Sequence, residues 1–215
     1  MDTTRNFSFF LTTFLTIFVI VDPFGAAAIF LSITPNNTEE ERKAMAKRAA
    51  IVAALVLFIF AVGGNLIFKY FGITLDAFKV AGGVLLCISA INMLYAKSYA
   101  MKHHPEEAGE SVEKEDISIV PLAVPILAGP GAITAVMIDI SKCENLFMFF
   151  LVFLSIALVC SFVYIILREA SLIIKFLGKT GINITTRFMG LILISISVQF
   201  IVEGIIGIYH NYLMK

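Results

Sequence analysis

Few residues in this chain could do chemistry, and they stand where apolar residues are the rule. Between Phe7 and Ile33, "DPFG" at residues 22–25 sets an acid, a proline and a glycine inside a run that is otherwise almost wholly apolar. Further along, "AGPGA" at residues 128–132 repeats the proline and glycine without the acid. Proline removes a backbone donor and clashes with the preceding turn, while glycine adopts geometries other residues avoid. Each motif is therefore expected to divide a helix. The new helix starts, around Phe24 to Ala27 and Gly131 to Thr134, would present free amides and the positive ends of their dipoles, which suit a carboxylate. Asp22 could cap its helix start, hold an ammonium group or carry a proton or other coupling ion. An anion site and a cation site side by side describe a receptor for a zwitterion. Gly25, Ala26, Ala27, Gly129, Gly131 and Ala132 add little bulk, so a compact ligand could reach the backbone. The bland alternative is packing, because Asp before Pro is an ordinary helix N-cap.

The remaining candidates are weaker. Asn92 and Gln199 fall at equivalent places in the two halves of the chain; they suit substrate contact or an interhelical hydrogen bond. Thr134 would stand in the first turn after the second break, and Thr16 and Asn65 could line a cavity or simply pack. Asp139, Arg168, Glu169 and Glu203 lie near expected span ends, where solvation is the default. His103 and His104 are adjacent in a polar stretch, with no Cys or acid at ligand spacing, so no metal site is expected. Cys87, Cys143 and Cys160 form neither a disulfide framework nor a zinc pattern. No cofactor motif is present, and no Walker-type phosphate loop for ATP-driven pumping. HExxH, GxSxG and a pair of membrane acids are also missing, so an enzyme is not expected.

The elements that must hold these residues are dictated by composition. Of 215 residues, 59% are hydrophobic and 15% charged, against roughly 25% charged in a soluble domain. Mean hydropathy is +0.93. Sixteen basic residues balance sixteen acidic ones, so no nucleic-acid surface is indicated. Crossing a bilayer takes about 20 apolar residues. Six stretches qualify: 8–33, 45–70, 75–96, 117–140, 146–168 and 187–210. The expected fold is all-α and polytopic, with spans one and four broken. Thr38 and Glu41 have capping-box spacing for the second span, with Asn37 beside them. Arg5, the apolar run and "GAAA" at 25–28 loosely mimic a signal peptide. That reading fails, because the apolar run resumes through Ile29 to Leu31 and the same break recurs in the second half.

The two halves match. Sliding the sequence by 107 residues sets Pro23 on Pro130, Gly25 on Ala132, Gly83 on Gly190 and Asn92 on Gln199. With a slip of one residue, "FKYFG" at 68–72 meets "IKFLG" at 174–178. Residues 1–96 then form one three-span repeat, 97–116 a polar linker and 117–215 a second repeat. An odd number of spans per repeat inverts the second copy in the membrane. Inverted repeats with breaks at corresponding positions point to a transporter site near the midplane. Eleven of the sixteen Lys and Arg fall in loops after spans one, three and five, which places both termini outside and the linker in the cytoplasm.

At "DPFG", at "PLAVPILAGPGAI" and in the six-span inverted pattern, nearly the whole chain resembles the MarC family, which is related to the wider LysE-type exporters. The resemblance implies a cell-membrane transporter of small neutral amino acids such as glycine or alanine, with coupling to protons. Carried over residue by residue, it places the site at Asp22, Pro23, Phe24 and Gly25 with Gly129, Pro130 and Gly131. A passive pore or an efflux protein for other small solutes is the alternative. Besides its substrate and the bilayer, a second copy of the chain is a conceivable partner.

Overall fold

A computed structural model describes residues 2–95 and 119–213, and all of its described elements are helical. The expected linker at 97–116, with His103 and His104, lies outside the described residues. In chain order the helices are α1 Asp2–Val21, α2 Pro23–Ile33, α3 Glu39–Phe71 and α4 Leu75–Leu94, then a π-helical segment Ile119–Leu127, then α5 Pro130–Ser141, α6 Leu146–Arg168 and α7 Ala170–Leu213. Among the described residues, five stretches are long and apolar enough to cross a membrane: Thr4–Ile33, Glu39–Gly64, Leu75–Leu94, Leu146–Arg168 and Thr180–Asn211. The fourth expected span is the exception. It is divided between the nine-residue π-helical segment and the 12-residue α5, each too short to cross alone.

Helix starts follow their side chains. Thr38 caps α3 by accepting the Glu41 N–H, and Glu41 accepts the Thr38 N–H at 3.0 Å, closing the capping box. Thr74 caps α4, and Asn145 caps α6 by accepting the Met148 N–H at 2.9 Å. At the other end of α2, Arg42 donates to the Thr34 carbonyl at 2.6 Å and ties that helix end to α3.

The second span hides mostly small residues and shows large ones. On α3, Ala46, Ala49, Ala53, Leu57 and Ala61 are buried at helical spacing, while Leu55, Ile59, Val62 and Leu66 are 53% to 70% exposed on another face. Such a broad apolar surface suits lipid. The buried stripe of α3 packs on α6, where Phe58 and Phe153 stack with centroids 5.2 Å apart. The most extensive contact runs between α4 and α7. There a Cβ on Gly83 would come within 2.8 Å of the Ser197 carbonyl, and one on Gly190 within 3.1 Å of the Ala90 carbonyl. Only glycine permits these backbones to approach so closely.

Two features differ from the expected spans. The segment between Arg168 and Arg187, expected as a loop, is helical and continuous with the last span, except that Gly178 turns the chain at φ 65°. That angle belongs to the left-handed region open to glycine. Asp139, expected to be solvated at a span end, is 6% exposed. Its neighbours on α5 are buried from Thr134 to Ile140, because α5 sits inside the bundle, against α1, α3 and α4.

Candidate functional site

Both expected breaks are present, and both are sharp. At the first, Asp22 alone separates α1 from α2, with φ 42° and ψ 71°. Asp and Asn tolerate this left-handed geometry better than most residues because their short side chains bond locally. Here the Asp22 carboxylate accepts the Gly25 N–H at 3.2 Å, and Pro23 occupies the first helical position, where a missing N–H costs nothing. At the second break, Pro121 and Pro125 lie in the π-helical segment, whose widened turns end with the Ala128 N–H reaching back five residues to the Ala123 carbonyl at 2.9 Å. Gly129 then stands before α5, again with proline, Pro130, at the first position. No side chain among the described residues caps α5; Pro130 has no N–H and the Ile133 N–H donates to the Gly129 carbonyl at 3.1 Å, which leaves the Gly131 and Ala132 N–H groups open to a ligand.

The breaks meet at one cavity of about 240 Å³. Asp22, Gly25 and Ala26 line it from the first break, and Gly129, Pro130, Gly131 and Ala132 from the second. Asn92 reaches it from α4. The volume lies below the roughly 300–1,000 Å³ of pockets for drug-sized ligands, so a compact solute fits best. The small residues have a structural reason here: a Cβ on Gly131 would fall 2.6 Å from Leu86 Cδ2. The lining residues Ser32 and Asn183 are exposed, and they lie toward the end of the bundle where α2 and α4 finish.

Several sequence candidates stand elsewhere. Pro23 and Phe24 belong to α2 but not to the cavity wall. Thr134 donates to the Pro130 carbonyl at 2.8 Å, and its methyl occupies the space that a side chain on Gly82 would need. Gln199 is exposed on α7 and donates to Glu203 at 2.9 Å. Thr16 is buried on α1 away from the cavity.

Four polar lining residues escaped the sequence reading: Ser32, Ser89, Asn183 and Thr186. Thr186 matters most. Its buried hydroxyl faces the Asp22 carboxyl without closing a hydrogen bond of good geometry. "NITT" at 183–186 carries a signal, a polar cluster just ahead of an apolar run, but it falls in the segment expected as a loop.

A family model described as MarC family integral membrane protein matches residues 7–209. The chain belongs to the MarC family. It is 42% identical to the UPF0056 membrane protein MJ1677 of Methanocaldococcus jannaschii, over 94% of this chain and 98% of that one. It is 40% identical to the UPF0056 membrane protein YvbG of Bacillus subtilis, covering 94% and 97% of the two chains. Against the UPF0056 membrane protein YhcE of Escherichia coli the identity is 34% over 99% of each. Membership in the MarC family makes the chain an integral membrane protein, in keeping with its apolar helices. No solved structure matches it.

Proposed function

We propose that this MarC-family protein is a secondary transporter of small neutral amino acids such as glycine or alanine, working by alternating access around the cavity between the two helix breaks. One observation carries the reading: a single compact cavity is walled on one side by the Asp22 carboxylate and on another by the uncapped start of α5. An ammonium group suits the first and a carboxylate the second. A solute bearing both, with a small side chain, matches the charges and the volume.

The six-span inverted repeat belongs to this proposal, and several contacts support it. Under the 107-residue offset, Gly83 corresponds to Gly190, Ala90 to Ser197 and Leu94 to Ile201. A Cβ on Gly83 would meet the Ser197 carbonyl and the Ile201 N–H, and one on Gly190 would meet the Ala90 carbonyl and the Leu94 N–H. The two halves of the α4 and α7 contact are thus interchangeable, the pattern a two-fold relation produces. Gly72 and Gly178, paired in the sequence with a slip of one residue, both have positive φ, 64° and 65°. Two related units meeting at a midplane cavity can rock against each other around a fixed site. The basic loops orient both termini outward, so the cavity opens toward the cytoplasm.

The test is uptake of labelled glycine and alanine into proteoliposomes that hold the purified protein, with and without an imposed proton gradient. Saturable, gradient-driven accumulation that Gly131→Leu abolishes is the expected result. Flux that neither saturates nor accumulates would replace the carrier with the passive-pore alternative, and unaltered uptake by the Gly131→Leu variant would remove the site assignment.

A further inference from the structure

We propose a second functional site at the far end of α5: the Asp139 carboxyl is a proton-accepting group served from the face of the bundle opposite the substrate cavity. Its role in coupling rests on the transporter reading above; the site itself rests on the following contacts.

Asp139 is 6% exposed, and its Oδ2 has no hydrogen-bond partner among the described residues. A carboxylate held in that way carries an unbalanced charge, and taking up a proton is the simplest remedy. The nearest cation does not provide a full one. Lys142 Nζ stands 4.0 Å from Oδ1, its side chain is 41% exposed, and its ammonium also lies 5.6 Å from the Phe200 ring centre. The other groups around Asp139 act in opposite directions, a second negative charge against a hydrogen-bond donor. Glu203 of α7 faces it with a second negative charge, and Thr13 of α1 offers a hydroxyl. From α4, Lys79 is divided between Glu203 at 3.9 Å and Asp76 at 3.8 Å. In the connection to α6, Cys143 donates to the Asp139 carbonyl at 3.3 Å, and Glu144 is paired with Arg5 of α1. The contact with α3 includes Met137 against Gly64. A metal ion is a poor occupant, since the Lys142 ammonium repels a cation and, among the described residues, no three metal-ligating side chains gather to hold one.

The position gives the proton a use. Pro130, Gly131 and Ala132 in the first turn of α5 wall the substrate cavity, and Asp139 lies near the last turn. Asp139 stands nine positions after Pro130, about 14 Å along one short rod. A charge change at one end and ligand contacts at the other therefore act on the same rigid body. Protonation at one end and substrate at the other would then bias the same rod, so a proton on Asp139 can change the substrate cavity's preference between its two states.

Two readouts test this on the purified full chain. Infrared difference spectra between acidic and alkaline pH should contain a protonated-carboxyl C=O band that Asp139→Asn removes and that Glu203→Gln and Asp22→Asn retain. Asp139→Glu should keep a band at a shifted frequency, which separates loss of the group from loss of the fold. A band that survives in the Asp139→Asn variant overturns the proposal. In proteoliposomes, Asp139→Asn should keep exchange of labelled for unlabelled glycine yet lose proton-driven accumulation by about tenfold or more. Proton-driven accumulation at the wild-type level in that variant would also overturn it. If the wild type moves no glycine or alanine under any gradient, the transporter reading falls while the infrared band still decides the proton site.

Discussion

Replacing Asp22 by Asn, Gly and Ala separates its charge from its work on the backbone. All three remove the carboxylate, so differences among them report only the helix cap and the left-handed conformation. Asn caps as well as Asp and tolerates φ 42°. Gly gives up the side-chain bond to the Gly25 N–H, which costs a few tenths of a kcal/mol at an N-cap, and accepts the conformation freely. Ala loses the cap, about 1 kcal/mol. It also enters the left-handed region without a polar side chain, about 1–2 kcal/mol more. Asp22→Ala should therefore be less stable than Asp22→Asn by about 2–3 kcal/mol, a large share of a stability of about 5–15 kcal/mol. Asp22→Gly should fall within about 0.5 kcal/mol of Asp22→Asn. Reversible unfolding in mixed micelles, followed by helix signal against the fraction of denaturing detergent, measures these differences. Equal stabilities for the Ala and Asn variants would refute both the cap and the strained conformation at residue 22.

At the α4 and α7 contact, Gly83→Ala and Gly190→Ala should each cost about 1–3 kcal/mol by overpacking, because the new Cβ meets backbone at 2.8 and 3.1 Å. Gly63→Ala is the control: no described atom stands within 4 Å of its Cβ, so the same unfolding experiment should read a gain of up to about 1 kcal/mol from helix propensity. Thr38→Ala opens the capping box of α3 and should lower stability by about 1 kcal/mol, seen as earlier loss of amide protection in the first turn. Thr186→Val keeps the shape of the cavity wall but removes the hydroxyl beside Asp22; glycine binding, measured by calorimetry, should weaken by about tenfold if that hydroxyl contacts the ligand.

The sequence by itself determined the class of protein, its membrane helices and the two places where helices stop. Those features are local. Apolar length fixes a span, proline removes a donor wherever it stands, and Thr38 with Glu41 closes a box within one turn. The pairing of Gly83 with Gly190 and of Gly72 with Gly178 is also visible in linear order, and the paired glycines have like close contacts or like backbone angles.

Tertiary structure decided what those breaks face. Asn92 and Gln199 look equivalent in the sequence, yet Asn92 reaches the cavity and Gln199 turns outward to Glu203. Thr186 joins the wall because α7 starts well before its last span and packs along α2. Asp139 reads as a solvated residue near a span end. Only because α5 is short, and inserted among α1, α3 and α4, does its last turn lie deep inside the bundle. Burial comes from neighbours distant in the chain, and no spacing rule within one helix reveals which of its faces they will cover.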